Sequence, residues 1–244
     1  MARTAMRVMV TAGGLFLGAA CGASADSVVV TTNGSFTTVV INGHVVSGGE
    51  NTVVAKGPIR TEERAVPAYS GIQVDAPANV TFSPAPTPHV TVTAPADILP
   101  LVETDVQEGT LVIALKGSII LSSPVLVAAS GPSLAAIDLA GSGSVKAAGL
   151  SGPDLRISLS GSGTVAANGT VGRVGIHLSG SGDVDVAAIP AANVSGVITG
   201  SGTIRAFARE SLEAELTGSG EFIVFGNPPQ RTTNVTGSGE ILFR

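Results

Sequence analysis

Leu139-Ala140-Gly141-Ser142-Gly143-Ser144-Val145 is the stretch that decides the fold, because its pattern returns five more times downstream. Gly-Ser-Gly begins at Gly141, Gly161, Gly180, Gly200, Gly218 and Gly237, at spacings of 20, 19, 20, 18 and 19 residues, and closes at Gly143, Gly163, Gly182, Gly202, Gly220 and Gly239. Two places before each repeat stand Leu139, Leu159, Leu178, Ile198, Leu216 and Val235. Two places after each stand Val145, Val165, Val184, Ile204, Phe222 and Ile241. Between repeat and apolar residue lies a polar one: Ser144, Thr164, Asp183, Thr203, Glu221 or Glu240. Apolar and polar columns at fixed register describe a strand face, a tight glycine bend and a second strand face. Glycine is the residue for such a bend because it accepts backbone angles that a Cβ forbids.

A period near nineteen is too short for tetratricopeptide, ankyrin or propeller repeats. It suits one coil of a parallel β-helix, each coil stacked about 4.8 Å from the last. The composition agrees. Of 244 residues, 44% are hydrophobic, 13% charged and 3% aromatic, with 32 Gly, no Trp and one Tyr, so the core must be built from Val, Ile, Leu and Ala. That balance excludes a disordered chain and a charged helical bundle. The fold class expected is all-β, a parallel β-helix with coils of 19–20 residues.

Upstream, period-two alternation at Ile72/Val74, Val80/Phe82, Val90/Val92 and Leu111/Ile113/Leu115 reads as further strands. Prolines 84, 86, 88, 95 and 100 cut them short. Ile59 to Ser130 is therefore expected to form earlier, less regular coils. From Ser27 to Lys56, Asn33-Gly34 and Asn42-Gly43 each sit between Val- and Thr-rich runs, a strong hairpin signal. The expected organisation is a signal peptide over 1–20 (or 1–25), an anchor and hairpin-rich spacer over 21–58, and a β-helix domain over 59–244.

The beginning of the chain reads as an export signal. Arg3 and Arg7 precede an apolar run from Val8 to Ala20, and no further charge appears before Asp26. That run is too short to span a bilayer as a helix. Leu17-Gly18-Ala19-Ala20-Cys21 resembles the lipobox of bacterial lipoproteins, which implies lipidation at Cys21. It departs from the pattern in having Gly18, not Leu, three places before the Cys. Ala23-Ser24-Ala25 offers a competing cleavage site before Asp26, which would discard the Cys. Either product has no free thiol, so no disulfide framework or thiolate zinc site is expected. Cleavage before Cys21 leaves 11 basic against 18 acidic residues, a net charge of −7. With no basic cluster and few aromatics, no nucleic-acid partner is expected.

Arg60-Thr61-Glu62 running to Tyr69-Ser70-Gly71-Ile72, then Thr104-Asp105-Val106 followed by Gly109-Thr110-Leu111, and finally the Gly-Ser-Gly ladder, together resemble a known bacterial family. It is the putative autotransporter adhesin head GIN domain, also called domain of unknown function 2807. The resemblance covers roughly Ile59 to Arg244. It implies a β-helical, exported and often lipid-anchored protein, and it brings no catalytic residues to carry over.

No reaction centre emerges from the residues. The tripeptides lack the third glycine and following helix of a dinucleotide fingerprint, and they lack the nine-residue period of calcium-binding repeats. Asp183 and Asp185 share a strand face, but the register sets Thr164 and Thr203 beside the first and Ala166 and Arg205 beside the second. Glu221 and Glu240 share a column on adjacent coils, where they would repel unless solvent or a cation separates them. His44, His89 and His177 fall in different registers, and no Ser, His and Asp arrangement forms around them. The expectation is thus a noncatalytic cell-envelope protein with no cofactor and no metal. It would attach to the membrane through lipid at Cys21 and meet an envelope or surface partner. Its alternatives are a carbohydrate-active β-helix enzyme and an accessory domain of an envelope-sensing system.

Overall fold

The computed structural model describes residues 57–117, 119–121 and 124–244, and ahead of them the strands Met9–Ala12, Val28–Asn33, Phe36–Ile41, His44–Ser47 and Val53–Val54 with residue 55. Cys21 lies outside the described residues, as does the side chain of His44. Two compact units form, one from Met1–Lys56 with Lys116–Ser122 and one from Gly57–Leu115 with Ser123–Arg244.

In the first unit, Val28–Asn33 pairs antiparallel with Phe36–Ile41, which pairs antiparallel with His44–Ser47. These are the pairings that the two Asn-Gly signals call for. Met9–Ala12, inside the stretch read as an export signal, pairs parallel with Val28–Asn33. Val53–Val54 pairs parallel with Ile119–Ile120.

The second unit is a β-solenoid. Ser144–Gly161, Thr164–Gly180, Asp183–Gly200 and Thr203–Gly218 each run almost a whole coil, and each pairs parallel with the next. Glu221–Phe225 and Gln230–Gly237 lie side by side with two parts of the Thr203–Gly218 coil, and Glu240–Phe243 pairs onto Glu221–Phe225. The register keeps Val145, Val165, Val184, Ile204 and Phe222 in one inward column, all fully buried. Leu139, Leu159, Leu178, Ile198 and Leu216 form another. No charged or polar side chain is buried among the described residues. Burial of apolar area, at about 25 cal/mol per Å², therefore combines with the continuous backbone ladder to hold the coils together.

Ile59 to Ser130 only partly continues the solenoid. Gly71–Asp75 and Ala78–Pro84 form a coil parallel to the next one, through Ala136–Gly141 and Ser144–Gly161. Thr110–Leu115 and Val125–Gly131 pair parallel on the other edge of that coil. Beyond them the chain turns antiparallel: Val102–Gln107 on Thr110–Leu115, His89–Pro95 on Val125–Gly131, and Ile59–Arg64 on His89–Pro95. For the first of these pairs the cause is local, at Glu108-Gly109, where both residues have positive φ (49° and 78°). That is the conformation of a two-residue turn whose twist suits a hairpin.

Candidate functional site

Alternation along each strand sends one residue inward and the next outward, so the solenoid presents two gridded faces, one before and one after the tripeptide bends. The bends join them. At the first glycine of each tripeptide φ is positive, from 108° at Gly141 to 129° at Gly200. The second glycine is held by proximity instead. A Cβ on Gly163 would lie 2.7 Å from the Gly143 carbonyl oxygen and 2.8 Å from the Leu139 side chain. The coils also cross-bond here, Ser162 N donating to Gly141 O at 3.0 Å and Thr164 N to Gly143 O at 3.1 Å. One coil earlier the same place is filled by Ala76-Pro77-Ala78, over which Gly143 packs.

The face after the bends carries Ser144, Thr164, Asp183, Thr203, Glu221 and Glu240 in one column. Glu221 and Glu240 are direct register partners. The next outward column runs Lys146, Ala166, Asp185, Arg205, Ile223 and Leu242. Asp185 accepts a hydrogen bond from the Ala187 amide at 3.1 Å, and Asp183 sits between Thr164 and Thr203. Ala166 and Ala167 floor an open hollow of about 400 Å³ between Lys146 and Asp185. In the last coils the columns beyond Glu221 and Glu240 turn apolar: Phe207 pairs with Phe225, and Ile223 with Leu242. Sequence reasoning passed over this aromatic pair, although Phe207 and Phe225 each stand seven places after the first glycine of their tripeptides and the register that pairs Glu221 with Glu240 pairs them too.

The face before the bends is more polar. Its rows are Asp154, Arg156, Ser158 and Ser160, then Arg173, Gly175, His177 and Ser179, then Asn193, Ser195, Val197 and Thr199. Arg173 Nη1 meets Asp154 Oδ1 at 3.2 Å, and Ser211 bonds Asn193 at 2.7 Å. Asp138 lies with Gln73, Asp75 and Ser158 around a hollow of about 300 Å³. Burial pushes its carboxyl above the usual range, Arg156 draws it back down, and Asp75 adds to the rise. His177 is exposed on this face, whereas His89 lies on the antiparallel strand His89–Pro95. No group of three or more His, Cys, Asp or Glu side chains suited to a metal occurs among the described residues. No helix among them is long and apolar enough to cross a membrane.

Solved structures share this architecture. A putative adhesin from Bacteroides fragilis aligns at TM-score 0.61 with 20% identity, covering 79% of this chain and all of that one. From Parabacteroides distasonis, a putative adhesin aligns at 0.53 with 20% identity, and a putative lipid binding protein at 0.52 with 24% identity. Each of these covers 80% of this chain and all of its own. At such identities the likeness is one of fold. No curated protein matches the sequence. The family model described as putative auto-transporter adhesin, head GIN domain, matches residues 68–228, which take in the solenoid from Gly71–Asp75 through Glu221–Phe225. The chain belongs to that GIN domain family.

Proposed function

We propose that the protein is a noncatalytic component of the cell envelope, exported and tethered by lipid at Cys21, whose solenoid faces bind a surface or partner. The observation that carries this reading is the form of the outward faces: shallow regular grids of Ser, Thr, Asn and Ala with single charges scattered among them, over an apolar core. Enzymes gather convergent polar groups with displaced pKa values in a concave site, while repeated shallow contacts suit adhesion. Membership in a family of putative adhesins supports the same reading. Co-sedimentation of the purified protein with isolated envelope fragments tests it. Saturable binding is expected, and failure to sediment with any envelope fraction would refute it.

A second reading, action on envelope polysaccharide, draws on the face after the bends. There the Glu221 and Glu240 pair stands near the Phe207 and Phe225 pair, so two acids and an aromatic platform share one side of the last coils.

A further inference from the structure

We propose that the trough over Gly175 binds an oxyanion group, carboxylate or sulfate, carried on a hydroxyl-rich polymer, that is, an acidic polysaccharide. The proposal rests on the binding-surface reading above and names its ligand chemistry.

Gly175 is the starting observation. Each ladder glycine has either a positive φ or a neighbour that a Cβ would overlap, whereas Gly175 has no positive φ and a Cβ added there would meet nothing within 4 Å. Neither backbone conformation nor packing calls for glycine, and glycine weakens a strand interior. What the missing side chain does is lay the strand bare. The resulting trough, about 480 Å³, is lined by Ala136, Asp154, Arg156, Arg173 and Ser195 around Gly175.

Arg156 is the register neighbour of Gly175 on one side and Ser195 on the other. Arg173 precedes Gly175 by two residues on the same strand face. Two arginines thus line one bare floor, their Cα atoms about 5 and 7 Å from that of Gly175 along the sheet. Arg156 makes no side-chain hydrogen bond or ion pair among the described residues, although the field of Asp138 reaches it. Arg173 engages Asp154 through Nη1 and keeps the rest of its five donors. Planar forks of this kind match carboxylate and sulfate oxygens two at a time.

The surroundings narrow the carrier. The backbone groups of these coils are already spent in the parallel ladder, so a peptide cannot add as a strand there. The flanking rows offer Ser158, Ser179, Asn193 and Ser195, which suit sugar hydroxyls. Carboxylates bound the basic island, Asp75 and Asp138 on one side and Glu213 and Glu215 on the other. A densely charged polyanion such as nucleic acid would be repelled by them, whereas a glycan with spaced charges fits between.

The test titrates the purified protein at low salt with hyaluronate, which carries one carboxylate per disaccharide, with a dextran sulfated to a similarly sparse degree, and with neutral dextran. Binding to one or both acidic polymers, and none to neutral dextran, is expected, and the tighter acidic polymer identifies the group. Arg156→Gln and Arg173→Gln should each weaken it at least fivefold. Gly175→Leu, which fills the floor, should do the same with a melting temperature no lower than that of the wild type, whereas Lys146→Gln on the other face should leave binding intact. Absence of acidic-polymer binding, or equal weakening by Lys146→Gln, would overturn the proposal. Envelope co-sedimentation run in parallel separates the two claims. Polymer binding without envelope binding refutes the adhesive reading alone, and envelope binding without polymer binding refutes the trough alone.

Discussion

The ring of Phe222 occupies the space in front of Gly196: a methyl group added at residue 196 would overlap the ring's Cε2 and Cζ. The column of Val145, Val165, Val184 and Ile204 continues into this larger side chain, and the core accommodates it by omitting one at residue 196. Gly196→Ala should therefore cost about 2 kcal/mol through overpacking. In a Phe222→Leu background the same change should cost about 1 kcal/mol less, since the two sites are coupled. Denaturant midpoints of the four proteins measure this, and strict additivity would show that the ring does not fill that space.

The bend ladder makes a graded prediction. Gly141 has positive φ but open space beyond its Cα, whereas a Cβ on Gly161 would lie 2.5 Å from the Gly141 carbonyl oxygen. Gly141→Ala should cost about 1–2 kcal/mol from backbone strain alone. Gly161→Ala should cost more, about 3 kcal/mol, because the adjoining coil must also move. Lys146→Ala, on the exposed face, should change stability by less than about 0.5 kcal/mol. Chemical unfolding of the three variants gives the order.

Tyr69 links stability to alkaline pH. Its hydroxyl is buried and donates to the Ser130 carbonyl at 2.8 Å, and burial pushes the phenol up to about 12. The unfolded chain loses this proton near pH 10 while the folded chain keeps it to about 12. The stabilisation is therefore complete below pH 10 and lost as pH rises through 12. Relative to wild type, Tyr69→Phe should lose about 1 kcal/mol at pH 7 from the missing hydrogen bond. That deficit should shrink above pH 10, as read from paired melting curves.

The parallel solenoid was legible because its bends are made of one tripeptide repeated at a near-constant period. Where a different residue set makes the same bend, as at Ala76-Pro77-Ala78, the periodic signal vanishes although the coil is present. The hairpin of Val102–Gln107 with Thr110–Leu115 was illegible for a related reason: Glu108 takes a positive φ of 49° that its residue type does not advertise. Column neighbours such as Glu221 and Glu240 followed from the register alone. The Arg156 and Arg173 pair did not, because it depends on which residue beside both of them is bare, and Gly175 looks in sequence like any other turn glycine.

Lipid attachment is open to direct labelling. Cys21→Ser should abolish incorporation of a labelled fatty acid and leave unprocessed or soluble protein. A mature N-terminus at Asp26 with unchanged membrane partition would place the cleavage after Ala25 instead.

The central claim is that these faces bind without turning anything over, and assay of the purified protein on envelope polysaccharide and peptide tests it most directly. With or without added calcium, the account predicts saturable association and no new reducing ends or free amines. Product formation that disappears in the Glu221→Gln, Glu240→Gln double variant would contradict it.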